Sequence, residues 1–475
     1  MKRTVMTLLA FFLLLAGVSA QKTEPIVGGG YLYLADSLKL DSMYTFWNTY
    51  VQLHPKDEVA WRNLSEVEQG KVNGLLYKVH DWHAPLQLRK QLDVMKRMEQ
   101  AIPGTYTFYY CAHQNGYASE KDRKEMEEHN VPALFYHSNE YADSAIAMLP
   151  QDVPASDYDL WAKYLIEKDD TLLLTKVLTQ YYESGQYPKE RLQYEFNEMQ
   201  GMEPDGVYLG HTEGDVIGKL ILQHVLDVHK DKILYHENLA PKKAYLEVVF
   251  DRIGIPFSDE IYQQLYNTDQ KVQLLNIMRY IFEQSQRPVY LSAFNIPDMV
   301  LGKGVSDELK ACLYNEGLTM RYSKKPYNNM AVKRRNVEQR YLLEYLLMSF
   351  HPKQKDILPN HLPAEIQEFY YLLLLNDLMP YYKKHNPERH AWLNRLFFCL
   401  LGKMYDRNTG GIFMGNKYYQ IMLQADANGG YHYELTERPA EWWRIEPHED
   451  EAVFKQRLEQ LKKVTRVLIK TEPLR

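Results

Sequence analysis

The densest run of chemically useful side chains is His211-Thr212-Glu213-Gly214-Asp215, set between a short apolar segment, Val207-Tyr208-Leu209, and an amphipathic one, Val216 to Val228. A strand, a loop and a helix in that order put the loop at the carboxyl end of the strand, where open α/β sheets bind ligands. The composition of the loop narrows the ligand. A helix N-terminus favours anions, but Glu213 and Asp215 place negative charge there and oppose a phosphate. No glycine-rich fingerprint marks a nucleotide site. A sugar hydroxyl, a cation or a peptide amine fits better. The plainer alternative makes Asp215 a helix cap and Glu213 a solvated side chain.

A second strand, Lys232 to Tyr235, runs into Tyr235-His236-Glu237-Asn238, and a third, Val289 to Phe294, ends at Asn295. If the three strands are parallel neighbours, His211, Glu213, Asp215, His236, Glu237, Asn238 and Asn295 share one rim. Two carboxylates in different environments can act as general acid and base, so Glu213 with Asp215 or Glu237 would suit an envelope hydrolase or carbohydrate-active enzyme. The same residue types would accept a metal, yet no His-x-x-x-His or other tight spacing supports one. No cofactor is expected.

Other reactive residues are weaker candidates. His80-Asp81-Trp82-His83 lacks a second pair of ligands. Cys111 near His113 sits in a tyrosine-rich segment, Thr105 to Ala112, which reads as a strand with a packed thiol. Cys111, Cys312 and Cys399 are odd in number and far apart, so they are read as buried thiols and not as a disulfide framework. Lys324-Lys325 and Lys333-Arg334-Arg335 read as a solvated stretch able to dock an acidic partner.

The elements that must position these residues are mostly helical. Leu38 to Leu64 reads as a hairpin broken at His54-Pro55-Lys56-Asp57, a phrase like a tetratricopeptide repeat turn. Further helices are predicted at Gln87 to Gln100, Glu120 to His129, Leu172 to Tyr182, Lys189 to Met199, Lys242 to Ile253 and Val272 to Gln284. Leu318 to Tyr322 is a fourth strand. From Asn336, with Val337, Tyr341, Leu342, Tyr345, Leu346 and Phe350 on one face, the pattern turns helical again. It continues through Pro363 to Lys384 and Pro387 to Tyr405. An aromatic, turn-rich segment through Trp442-Trp443 follows, its Tyr431 to Trp443 part able to stack on a glycan. A capping helix from Glu449 to about Lys470 ends the chain. The fold class expected is α/β plus all-α: a small, mostly parallel α/β module (201–330) flanked by tetratricopeptide-like helical hairpins (31–200) and a helical C-terminal region (331–475).

The 475 residues are 45% hydrophobic and 25% charged, ordinary globular usage. A net charge of -6 with both signs dispersed gives no field for nucleic acid and no polybasic membrane anchor. Lys2-Arg3, the apolar run Leu8 to Val18 and the small residues Val18-Ser19-Ala20 form a signal peptide over Met1 to Ala20, so the mature chain would start at Gln21 in the periplasm. Beyond it no apolar run is long enough to span a membrane. The 38 tyrosines are read mainly as helix packing. Asp41-Ser42-Met43 and Asp143-Ser144-Ala145 are similar to an O-glycosylation sequon of some Gram-negative envelopes.

Asp205-Gly206-Val207-Tyr208-Leu209, Gly214-Asp215, Leu222-Gln223, Arg287-Pro288-Val289-Tyr290-Leu291 and Glu316-Gly317-Leu318-Thr319-Met320-Arg321-Tyr322 follow one another in a recognisable order. Over Asp205 to Tyr322 the chain resembles the soluble extracytoplasmic part of bacterial protein O-mannosyltransferase-like membrane proteins. It departs from them where Val216-Ile217-Gly218 follow Gly-Asp, since that family carries more acidic and amide residues there. The resemblance implies an α/β module beside tetratricopeptide-like helices and carries over no catalytic residue, because transfer chemistry is expected in a membrane half that this chain lacks. The leading expectation is an exported, soluble periplasmic binding or scaffold protein of the cell envelope with a protein or glycan partner.

Overall fold

A computed structural model describes residues 37–74, 85–117, 139–211, 213–266, 270–293, 307–343, 362–404, 411–414, 417–425 and 431–438, with the single residues 268, 346 and 452. The chain divides into two compact units, Met1–Tyr164 and Leu165–Arg475. Among the described residues no helix is long and apolar enough to cross a membrane. The signal segment, His80 and His83, the helix expected over Glu120 to His129, Asn295 and the terminal helix lie outside the described residues.

The first unit contains α1 (Ser37–Leu53), α2 (Glu58–Gly74), α3 (Pro85–Ala101), α4 (Tyr106–Gln114), α5 (Asn139–Ala147) and the start of α6 (Ala155–Lys168). The α1–α2 turn follows from its residues: Asp57 Oδ1 accepts the Ala60 amide at 3.0 Å and so starts α2, while Trp61 Nε1 donates to the Pro55 carbonyl at 2.9 Å. Thr105 to Ala112 is helix, where a strand was expected. Thr105 Oγ1 caps α4 by accepting the Phe108 amide at 3.2 Å, and Tyr106, Phe108, Tyr110 and Cys111 bury themselves on helical spacing. Aromatic β-preference reflects fit to a half-buried surface, so packing overrides it here. Inside this unit Arg62 holds Asp157 with two guanidinium nitrogens, Tyr106 donates to the same carboxylate at 2.7 Å, and Trp161 Nε1 donates to the Tyr106 hydroxyl at 3.0 Å.

The second unit opens with α7 (Thr171–Glu183) and α8 (Lys189–Gly201). A five-stranded sheet follows, with β1 (Val207–Gly210), β2 (Ile233–His236), β3 (Val289–Ser292), β4 (Leu313–Asn315) and β5 (Thr319–Tyr322) in the order β2-β1-β3-β5-β4. Its connections contain α9 (Glu213–His224), α10 (Lys243–Ile253), α11 (Asp259–Tyr266), α12 (Gln270–Ser285) and α13 (Asp307–Cys312). β1 is parallel to β2 and β3, but β5 is antiparallel to both β3 and β4. The sheet is therefore mixed, and the mostly parallel sheet expected is corrected. The cause is the tight Glu316-Gly317-Leu318 turn, too short for the crossover that parallel strands need. Gly317, at φ 128°, takes a backbone that favours glycine and packs beneath Tyr341.

Strand alternation sorts the core. Val207, Leu209, Val289 and Leu291 face Leu246, Phe250, Met278 and Ile281, while Tyr208 and Tyr290 form a separate cluster with Met202. After α14 (Asn329–Arg335) the helix expected from Asn336 to Phe350 gives way to extended backbone after a π turn, Asn336–Arg340, and Tyr345 and Phe350 lie outside the described residues. Tyr341 is extended because its hydroxyl accepts the Leu318 amide at 3.1 Å. Tyr341 and Leu343 are buried and Leu342 is exposed, an alternation no helix produces. The long helices α15 (Leu362–His385) and α16 (Pro387–Met404) pack together through Leu375, Leu378, Leu393 and Leu396. Beyond them the segment expected to be aromatic and turn-rich forms an antiparallel meander, β6 (Gly411–Met414), β7 (Lys417–Ala425) and β8 (Tyr431–Arg438).

Candidate functional site

The register of β1 on β2 assembles the site. Gly210 pairs with His236, so the next residues, His211 and Glu237, leave the sheet side by side, and His211 Nδ1 lies 2.8 Å from Glu237 Oε2. Their side chains are 20% and 34% exposed, accessible to a ligand. The hydrogen bond to Glu237 raises the His211 pKa against the opposing effect of burial, with further support from Asp215 and Glu213. The contact therefore favours the protonated form of His211.

α9 begins at Glu213, earlier than its apolar pattern predicted, so Glu213 and Asp215 belong to its first turn and not to a loop. Asp215 Oδ2 accepts the His211 amide at 3.0 Å, which makes it a lock on the strand-to-helix turn. Gly210 permits that turn, since a Cβ there would run into the Val216 side chain. Behind the half-buried pair, buried His236 has Nε2 4.0 Å from Glu213 Oε1, and its backbone amide donates to the Tyr245 hydroxyl at 2.7 Å. Asn238 is exposed in the single 3-10 turn Glu237–Leu239. The structure thus brings His211, Glu213, Asp215, His236 and Glu237 to one end of β1 and β2. Among the described residues no group of three or more histidine, cysteine or acidic side chains is placed to hold a metal ion.

The sequence reasoning missed a polar cluster directly beneath this rim. Lys219 on α9 is fully buried, and its ammonium contacts Glu195 and donates to Glu198 Oε2 at 2.6 Å and to the Asp215 carbonyl at 2.8 Å. Ser292 on β3 donates to Glu198 Oε1 at 2.6 Å, and the ammonium lies 4.2 Å from the Tyr208 ring centre on β1. Burial opposes the Lys219 charge, but Glu195 and Glu198 hold its pKa above the ordinary lysine range. Burial also pushes Glu195 up to about 8 despite Lys219. Two glutamates sealed around one ammonium keep a proton, because an uncompensated buried charge is costly. The available signal was Lys219 itself, a charge inside the otherwise apolar run Val216 to Leu222, with Glu195 and Glu198 one helical turn apart.

The remaining candidates have structural explanations. Cys111 is fully buried and its thiol is pushed up to about 12 by burial, the opposite of an activated nucleophile. Cys312 is a half-buried free thiol, and the Cys399 side chain lies outside the described residues. Three residues of the basic stretch pair internally, Lys333 with Asp377 and Arg335 with Glu203 at 2.7 Å, and Arg334 with Glu338 at 3.3 Å. Glu316 receives the Tyr327 hydroxyl at 2.7 Å and lies 3.6 Å from Arg321, which explains that motif by local packing. No protein-family model matches the chain, and comparison with curated proteins and with solved structures finds no match.

Proposed function

We propose that this chain is an exported binding protein of the cell envelope, acting in the periplasm, which holds a protein or glycan partner at the carboxyl edge of its sheet. Tetratricopeptide-like helical hairpins in the N-terminal region would offer a partner surface of the kind repeat proteins present. The observation that carries this reading is the accessible His211–Glu237 pair. Side by side it offers an imidazole N–H donor and a carboxyl acceptor, the combination that sugar hydroxyls and peptide amides can both use. Acid catalysis by a carboxylate needs a raised pKa at an accessible position. Glu66 and Glu195, raised by burial to about 7 and about 8, are only 4% and 1% exposed. The signal-like segment Met1 to Ala20 and the resemblance over Asp205 to Tyr322 support the envelope location.

The test uses the full mature chain on an array of bacterial envelope oligosaccharides and peptides, beside a His211→Ala/Glu237→Ala variant. Saturable binding that falls at least tenfold in the variant, with unchanged circular dichroism, is expected. Binding that ignores the double substitution, or no binding to either class, overturns the reading. Cell fractionation followed by N-terminal sequencing checks the location, and a cytoplasmic chain still beginning at Met1 would contradict it.

A further inference from the structure

A cavity of about 240 Å³ lies beside β2, the edge strand, and shares no lining residue with the rim. Its size is just below the roughly 300–1,000 Å³ of pockets for drug-sized ligands, enough for a ligand of several carbon atoms. Buried Leu174, Leu220 and Tyr245 supply an apolar wall. The charged lining is three cations, Arg252, Lys230 and Lys232, against one anion, Asp169.

Two of those cations can be recruited. Arg252 pairs with Asp169, and Lys230 with Asp227, but all four side chains are 42–79% exposed, and ion pairs so exposed contribute little. Lys232 is nearly buried beside Asp231. The basic loop is also held in place. Gln223 Nε2 donates to the carbonyls of His229 and Lys232 at 2.9 and 2.8 Å. Asp227 and His229 sit at φ 60° and 58°, in the left-handed region that aspartate and histidine adopt more readily than most residues.

His224, on the same lining, feels the field of these two cations. Burial lowers its pKa first, and Arg252 and Lys230 lower it further. Its Nδ1 lies 3.0 Å from the Thr175 hydroxyl, whose proton is already given to the Thr171 carbonyl. The imidazole therefore donates from Nδ1, and Nε2 is the nitrogen left for another partner.

From the cavity, its apolar wall and the two exposed, weakly paired cations on its lining, we infer that this is a binding site for a small amphiphilic carboxylate. The tail of the organic acid lies on Leu174, Leu220 and Tyr245, and its carboxylate is met by Arg252 and Lys230. Calorimetric titration of the full chain with octanoate, octylamine and inorganic phosphate tests this. Octanoate should bind saturably at one site, with octylamine and phosphate at least tenfold weaker. Lys230→Glu/Arg252→Glu should weaken octanoate at least tenfold, and Lys230→Ala, at an exposed position that folding tolerates, at least threefold. Octylamine or phosphate binding as well as octanoate, or either variant retaining full octanoate affinity, overturns the assignment.

Discussion

Glu195 keeps a proton that an exposed glutamate would have released, and this has a measurable cost. Its pKa rises from 4.5 in the unfolded chain to about 8 in the folded one. The contribution is complete below about pH 4.5 and is lost as pH rises through about 8, because the native state binds the extra proton between those values. Glu66, raised to about 7, acts in the same direction. Unfolding free energy should therefore fall from pH 5.5 to 7.5, with each retained proton contributing up to about 1.4 kcal/mol per pH unit. Urea unfolding of Glu195→Gln should show a flatter pH dependence, and a slope equal to the wild type would remove Glu195 as the proton's holder. The rim residues were legible because they cluster in short polar runs after apolar ones. Lys219 was not, because its partners outside its own helix come from α8 and β1, which reach it only in three dimensions.

At the scale of elements, α9 fits against its neighbours through Gly218. A Cβ there would lie 2.8 Å from Glu195 Cγ and closer still to the Tyr187 hydroxyl. Gly218→Ala gains about 1 kcal/mol of helix propensity, but overpacking a buried contact costs roughly 1–3 kcal/mol. A lower thermal midpoint is expected, and an equal or higher one would show that α8 yields easily. The long helices and central strands followed from periodicity, since Val207-Tyr208-Leu209 and Val289-Tyr290-Leu291 are apolar on both faces and buried on both. The failures have different causes. Thr105 to Ala112 is an aromatic segment set helical by its local cap at Thr105, whereas Tyr341 is held extended by a distant partner, the Leu318 amide.

At the scale of the whole molecule, both units bury tyrosine rings where a smaller core would use leucine. Tyr106 and Tyr110 in the first unit, and Tyr194, Tyr208 and Tyr235 in the second, are sealed, and burial holds their pKa values well above the ordinary tyrosine range. The chain thus carries its own optical reporter of folding. In an alkaline titration followed by tyrosinate absorbance, the sealed rings should ionise only when their unit opens, giving a steep late rise with hysteresis on the return. A single reversible wave from all 38 tyrosines would mean that hydroxide reaches these interiors without unfolding them.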